Sequence, residues 1–95
     1  MITDKNTART YLASSIEIAR GELARAGERY AAIPEKDYIV REVARQFAYR
    51  DFSRAAGKID FALHMGVLNG EEYLAMQDDL FAYFTELFYP KCVGV

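Results

Sequence analysis

Between Asn69 and Tyr89 the chain reads NGEEYLAMQDDLFAYFTELFY, and no other stretch restricts the fold as much. Placed on a helix at about 100° per residue, Tyr83, Met76, Leu87, Leu80, Tyr73, Phe84, Phe88, Phe81 and Leu74 fan out over roughly 180°. A stripe that faces only its own core needs little more than about 100°. The surplus, carried by Leu74, Phe81 and Phe88, is predicted to need a second partner.

The residues ahead of this stretch define how it begins. Asn69 is placed to cap the helix, Glu72 completes a capping box three residues on, and Leu68 can staple to Tyr73 across the cap. Gly66 suits the left-handed end of a preceding helix, with Val67 folding back on the last turn. Met65 to Gly70 is therefore a tight corner between two helices and not a linker.

Further back, Leu12, Ile16, Ala19, Leu23, Ala26, Tyr30 and Ile33 alternate spacings of four and three, a coiled-coil-like seam. It starts after a cap at Thr3 or Asp4 and stops at Pro34, giving a first helix about 42 Å long. Tyr11 and Ile18 form a second, half-exposed edge beside that seam. Gly21 falls opposite it and Gly27 beside it, where Gly27 reads equally as a close helix approach or as a weak point. Asp37 caps a second helix over Tyr38 to Met65, of matching length, so the pair is predicted to form an antiparallel hairpin. In that helix Val40, Val43, Ala44 and Phe47 share one side, while Phe52, Ala55, Ile59, Ala62 and Leu63 are rotated by roughly 90°. A middle helix touching two neighbours gives this pattern, and so does a break near Tyr49 to Ser53. Pro90 ends the third helix. The reading is all-α: a three-helix bundle in a single domain, 1–95, with two long antiparallel helices (about 4–32 and 38–65), a shorter third (about 70–89) and a tail over 90–95.

Composition narrows the class. At 52% apolar and 27% charged, the 95 residues are globular and too apolar for a disordered chain. Seven Tyr and six Phe point mildly to interfaces, where rigid rings give contact area at low entropy cost. Residues 1–58 carry 11 of the 12 Lys and Arg against 8 acids, and residues 59–95 carry Lys91 against 6 acids, so the net −2 divides into +3 and −5. Such a division steers self-association or a charged partner. One cysteine, Cys92, allows no disulfide framework, and a reducing cytoplasm is the expected compartment. Neither a signal peptide nor an apolar run long enough to span a membrane is present. Cys92 sits where a prenylated cysteine would, but Gly94 and the single upstream Lys91 argue against that modification.

Reactive groups are few. His64, the single histidine, has no second His or Cys nearby and reads as a helix-end residue; Cys92 has no base beside it. No metal site, cofactor or catalytic residue is assigned. Adjacent acids such as Asp78 and Asp79 diverge by about 100° on a helix, so Glu72, Asp78, Asp79 and Glu86 read as an acidic solvent face. An acidic helix imitating a nucleic-acid backbone has the same appearance. Arg50, Arg54 and Lys58 stand four apart on the second helix, as Arg25 and Arg29 do on the first; they are candidates for an anion or a partner. The acidic total and pI near 5.3 weigh against nucleic acid. Asp51, on an inward-looking face, should meet Arg54, Lys58 or an arginine of the first helix, because an unpaired buried carboxylate is costly. The sharper alternative is a polar pocket in which Asp51 and the arginines hold a small anion. The chain and helix lengths resemble those of small all-helical chorismate mutases, which hold an anionic ligand across a helical dimer. That resemblance is one of architecture and carries no site residue across.

These features favour a non-enzymatic protein–protein interaction module that dimerises through its third helix, with Leu74, Phe81, Phe88, Tyr11 and Ile18 as interface residues. By analogy of type, small acidic helical proteins of phages and mobile elements that inhibit host defence proteins fit the description. The alternatives are the anionic-ligand protein or enzyme centred on Asp51, and nucleic-acid binding or mimicry.

Overall fold

A computed structural model describes residues 4–90, which form α1 (Lys5–Ala32), α2 (Tyr38–His64) and α3 (Gly70–Phe88). Thr3, the other candidate cap of α1, and Cys92 lie outside the described residues. Asp4 caps α1, accepting from the Thr7 hydroxyl at 2.7 Å and the Asn6 amide at 3.0 Å. Those two donors hold its carboxyl below the usual carboxylate range. At the other end, Ile33 turns extended before Pro34, and the Arg41 guanidinium donates to the Ile33 carbonyl at 2.6 Å. A cation thus satisfies an orphan carbonyl at the negative end of the helix dipole.

Asp37 occupies the N-cap of α2, but its side chain makes no capping bond, contrary to the expectation from sequence. The helix runs unbroken through Tyr49 to Ser53, so the apolar rotation along it is not a break. It ends in the expected corner. The Val67 amide reaches back to the Ala62 carbonyl (2.9 Å) and the Gly66 amide to Leu63 (3.1 Å), with Gly66 at φ +75°, a Schellman motif. Asn69 and Glu72 then form the reciprocal capping box. Arg9 of α1 grips this corner, donating to the Val67 carbonyl (3.0 Å) and to Glu72 (2.8 Å).

Cross-helix contacts fix the directions. Lys58 donates to Ser15 and Arg45 to the Tyr30 hydroxyl, so α1 and α2 are antiparallel. Arg9 with Glu72, Arg20 with Asp79 and Tyr30 with Phe88 run in the same order, so α3 is parallel to α1. The core is where the three meet: Leu12, Leu23 and Tyr30 from α1, Ile59 and Phe52 from α2, Leu80, Phe84 and Phe88 from α3. At Gly27 α1 and α3 approach closely, since a Cβ there would lie 3.0 Å from the Leu87 side chain. The close-approach reading of that glycine holds.

Long helices make the domain thin. Its radius of gyration is 15.2 Å, against about 12 Å for a compact chain of this length, and its smallest extent is 16 Å. A slab that thin has an interior one side chain deep. The inner face of α2 reflects this, because Ala48, Ala55 and Ala62 are among its buried residues and bring α1 close. Sequence reasoning gave α2 two buried sides. The structure corrects this: Val40, Val43 and Phe47 face outward with no helix over them, while Ala44 packs against the core that Phe52, Ala55, Ile59 and Ala62 join.

A candidate interaction surface

Among the described residues, thirteen large apolar side chains are exposed. Their placement is ordered, and contiguous exposed apolar patches mark interaction sites where singly scattered residues do not. One group lies on α3. Leu74 and Phe81 are 59% and 60% exposed, as the breadth of the helix predicted. Phe88 is the correction: at 1% exposure it stacks on Phe84 and meets Tyr30 edge-on, so it serves the protomer's own core. It sits nearer to the buried side of the arc than Leu74 and Phe81, and α1 extends far enough to cover it. Two anchors of about 1.5–3 kcal/mol each, counted in both copies, are only comparable to an association cost of about 4–15 kcal/mol. A dimer through α3 alone loses its third anchor.

The larger group is on α2 and the adjoining flank of α1. Ile39, Val40, Val43 and Phe47 are exposed on the first half of α2, and Phe61 and Met65 at its end; Tyr11 and Ile18 are exposed on α1, as expected. Tyr11, Phe61 and Met65 border a groove of about 440 Å³ whose floor is Ala8, Leu12 and Ala62. Sequence reasoning missed Phe61 and Met65. The signal was there, in their offset from Phe52 and Ile59, but nothing local says which of two apolar stripes a third helix will cover.

Charge follows the same geography. Arg54, Lys58 and Asp51 do come together, in a second groove with Glu22 and Ile18. Arg25 and Arg29 stand exposed on α1, and Arg50 lies over the Phe47 ring at 5.7 Å. Asp51 is half-buried, yet among the described residues it forms no ion pair, so the predicted salt bridge with Arg54, Lys58 or an α1 arginine is absent. Two carboxylates among the cations make this groove mixed in sign, which does not suit a small anion. The acidic face of α3 is also divided. Glu72 is committed to Asn69 and Arg9, and Asp79 meets Arg20 at 3.3 Å, while Asp78 and Glu86 remain exposed without an ion pair among the described residues. Tyr73 donates to Asp60 at 2.7 Å, a bond that pushes its hydroxyl pKa up.

Arg45, unforeseen from sequence, is enclosed by rings. It donates to the Tyr30 hydroxyl and to Glu42 and lies 4.5 Å from the Tyr89 ring centroid, with its Nε buried and unpartnered. Together with Arg41 it ties the start of α2 to the ends of α1 and α3.

No group of three or more His, Cys, Asp or Glu is placed to hold a metal ion among the described residues, and none of the helices there is long and apolar enough to cross a membrane. The class defined by this geometry is an all-α three-helix bundle with uncovered apolar faces. Comparison of the chain with protein families, with curated proteins and with solved structures finds no match, so the architectural likeness to chorismate mutases has no counterpart there.

Proposed function

We propose that this protein is a protein–protein interaction module and not an enzyme, working through apolar helix faces that its own fold leaves uncovered. One observation carries the reading: Val40, Phe47, Phe61 and Met65 of α2 point outward, while its buried face consists of Ala48, Ala55 and Ala62 with Phe52 and Ile59. Leaving Phe47 and Phe61 in water forgoes about 1.5–3 kcal/mol each, which a partner recovers. The strip of Leu74 and Phe81 on α3, flanked by Asp78, is a second and narrower contact. A photocrosslinking side chain in place of Phe47 or Phe81, activated in living cells, is expected to give stoichiometric protein adducts, with a second copy or with another chain. Uncrosslinked monomer at both positions removes the reading.

The rival reading, a small anion held near Asp51, is separated by thermal shift. A ligand at 100 times its dissociation constant adds about 2.7 kcal/mol of stability. A panel of anionic metabolites and nucleotides is expected to leave the transition unmoved; a shift that Arg54→Ala abolishes favours the rival.

A further inference from the structure

The outer edge of α2 carries a seam of its own. Val40, Ala44 and Phe47 lead it, Asp51, Arg54 and Lys58 hold its middle, and Phe61 and Met65 close it, with spacings that alternate four and three from end to end. Alternation of that kind marks a line along which one helix packs against another. Here no helix of the described residues packs over it. Val40, Phe47, Arg54, Lys58, Phe61 and Met65 are exposed, and Ala44 and Asp51, nearest α1, are half-buried. The pattern also reads the same in reverse. Turned end for end about the point between Phe52 and Ser53, Val40 falls on Met65, Ala44 on Phe61, Phe47 on Lys58, and Asp51 on Arg54.

We infer that this seam is a two-fold interface: two copies of the chain pack α2 against α2 in antiparallel register, each Asp51 meeting the partner's Arg54. The inference rests on the interaction reading above and names the partner of the α2 face. Charge complementarity selects a second copy over other occupants. A two-fold contact is self-complementary, so every residue must suit its mirror-related position. Apolar ends meet apolar ends, with small Ala44 receiving the large ring of the partner's Phe61, and the stem of Lys58 lies along the partner's Phe47 while its ammonium still reaches Ser15. In the centre, Asp51 lacks the pairing that its half-buried position calls for, and Arg54 forms no ion pair among the described residues. Glu22 borders the same groove and adds a second carboxylate where the partner's Arg54 arrives. Alongside, Tyr11 and Ile18 on α1 supply the flank that the incoming helix leans on. Opposite signs at two-fold-related positions fix register, since a shift by three residues sets Arg54 against Arg54 in one direction and Asp51 against Asp51 in the other.

The test is sedimentation of the full chain across nanomolar to high micromolar concentrations. Wild type is expected to be a dimer, Phe61→Asp a monomer with unchanged helical content, and Phe81→Asp still a dimer. Asp51→Arg alone, or Arg54→Asp alone, is expected to raise the dissociation constant about tenfold, and the two combined in one chain to restore most of it. Since both positions are at the surface of the protomer, the combined variant folds whether or not the dimer forms. A wild type monomeric throughout overturns the inference, as does a double variant as weak as the singles. A dimer dissolved by Phe81→Asp but indifferent to Phe61→Asp also overturns it, while leaving the interaction reading intact with α3 as its surface.

Discussion

Helices α2 and α3 are built from similar apolar residues and place them oppositely. In α3, Leu80, Phe84 and Phe88 go inside and the exposed set is a strip of two, Leu74 and Phe81. In α2, Ala48, Ala55 and Ala62 go inside along with Phe52 and Ile59, and Val40, Phe47, Phe61 and Met65 stay out. The difference comes from what each helix faces. Helix α3 lies over the valley between α1 and α2, where rings have room to interlock: Phe84 stacks with Phe52 at 5.0 Å and with Phe88 at 4.9 Å. Helix α2 lies directly against α1, and small residues let the two backbones come close. The outward bulk of α2, Val40, Phe47, Phe61 and Met65, thus lies on the side that no third helix covers, the face proposed for interaction.

The comparison breaks most easily at a buried ring of α3. Phe84→Ala is expected to cost about 3–5 kcal/mol in urea unfolding, while Phe61→Ala, measured in protein dilute enough to be monomeric, changes stability by no more than about 0.5 kcal/mol. Equal losses would mean that the outward face of α2 is part of the core after all. Next in size is overpacking of the alanine seam. Ala55→Leu, at 2% exposure, is expected to destabilise by about 1–3 kcal/mol, because α1 has nowhere to move without opening the core; a neutral result would show the seam to be loose. The smallest effect contrasts two glycines of α1. Gly21→Ala meets only the tip of Arg25 at 3.8 Å and is expected to stabilise by about 0.5–1 kcal/mol, a change in denaturation midpoint. Gly27→Ala is expected to fall short of that gain or reverse it, since Leu87 must give way.

Local chemistry made a good part of this legible in the sequence. Asn69 and Glu72 specify a capping box whatever surrounds them, because both bonds close within four residues. Gly66 with Val67 specifies the reversal of α2 for the same reason, and the alternating seam of α1 predicted Leu12, Leu23 and Tyr30 as core. The breadth of α3 correctly implied that Leu74 and Phe81 would remain uncovered. Asp51 and Phe88 were misjudged on questions that depend on distance between elements. Whether a carboxylate on α2 reaches a guanidinium on α1, and whether α1 is long enough to roof the last turn of α3, is set by how the helices lie together.

What the sequence determined by itself, then, is the number, length and ends of the helices, since caps, prolines and periodicity act over one or two turns. The tertiary structure decided which of the two apolar stripes of α2 is buried. Both stripes are greasy enough to be a core; the one buried carries Ala48, Ala55 and Ala62, which let α1 approach, together with Phe52 and Ile59, which fill the interior beside them.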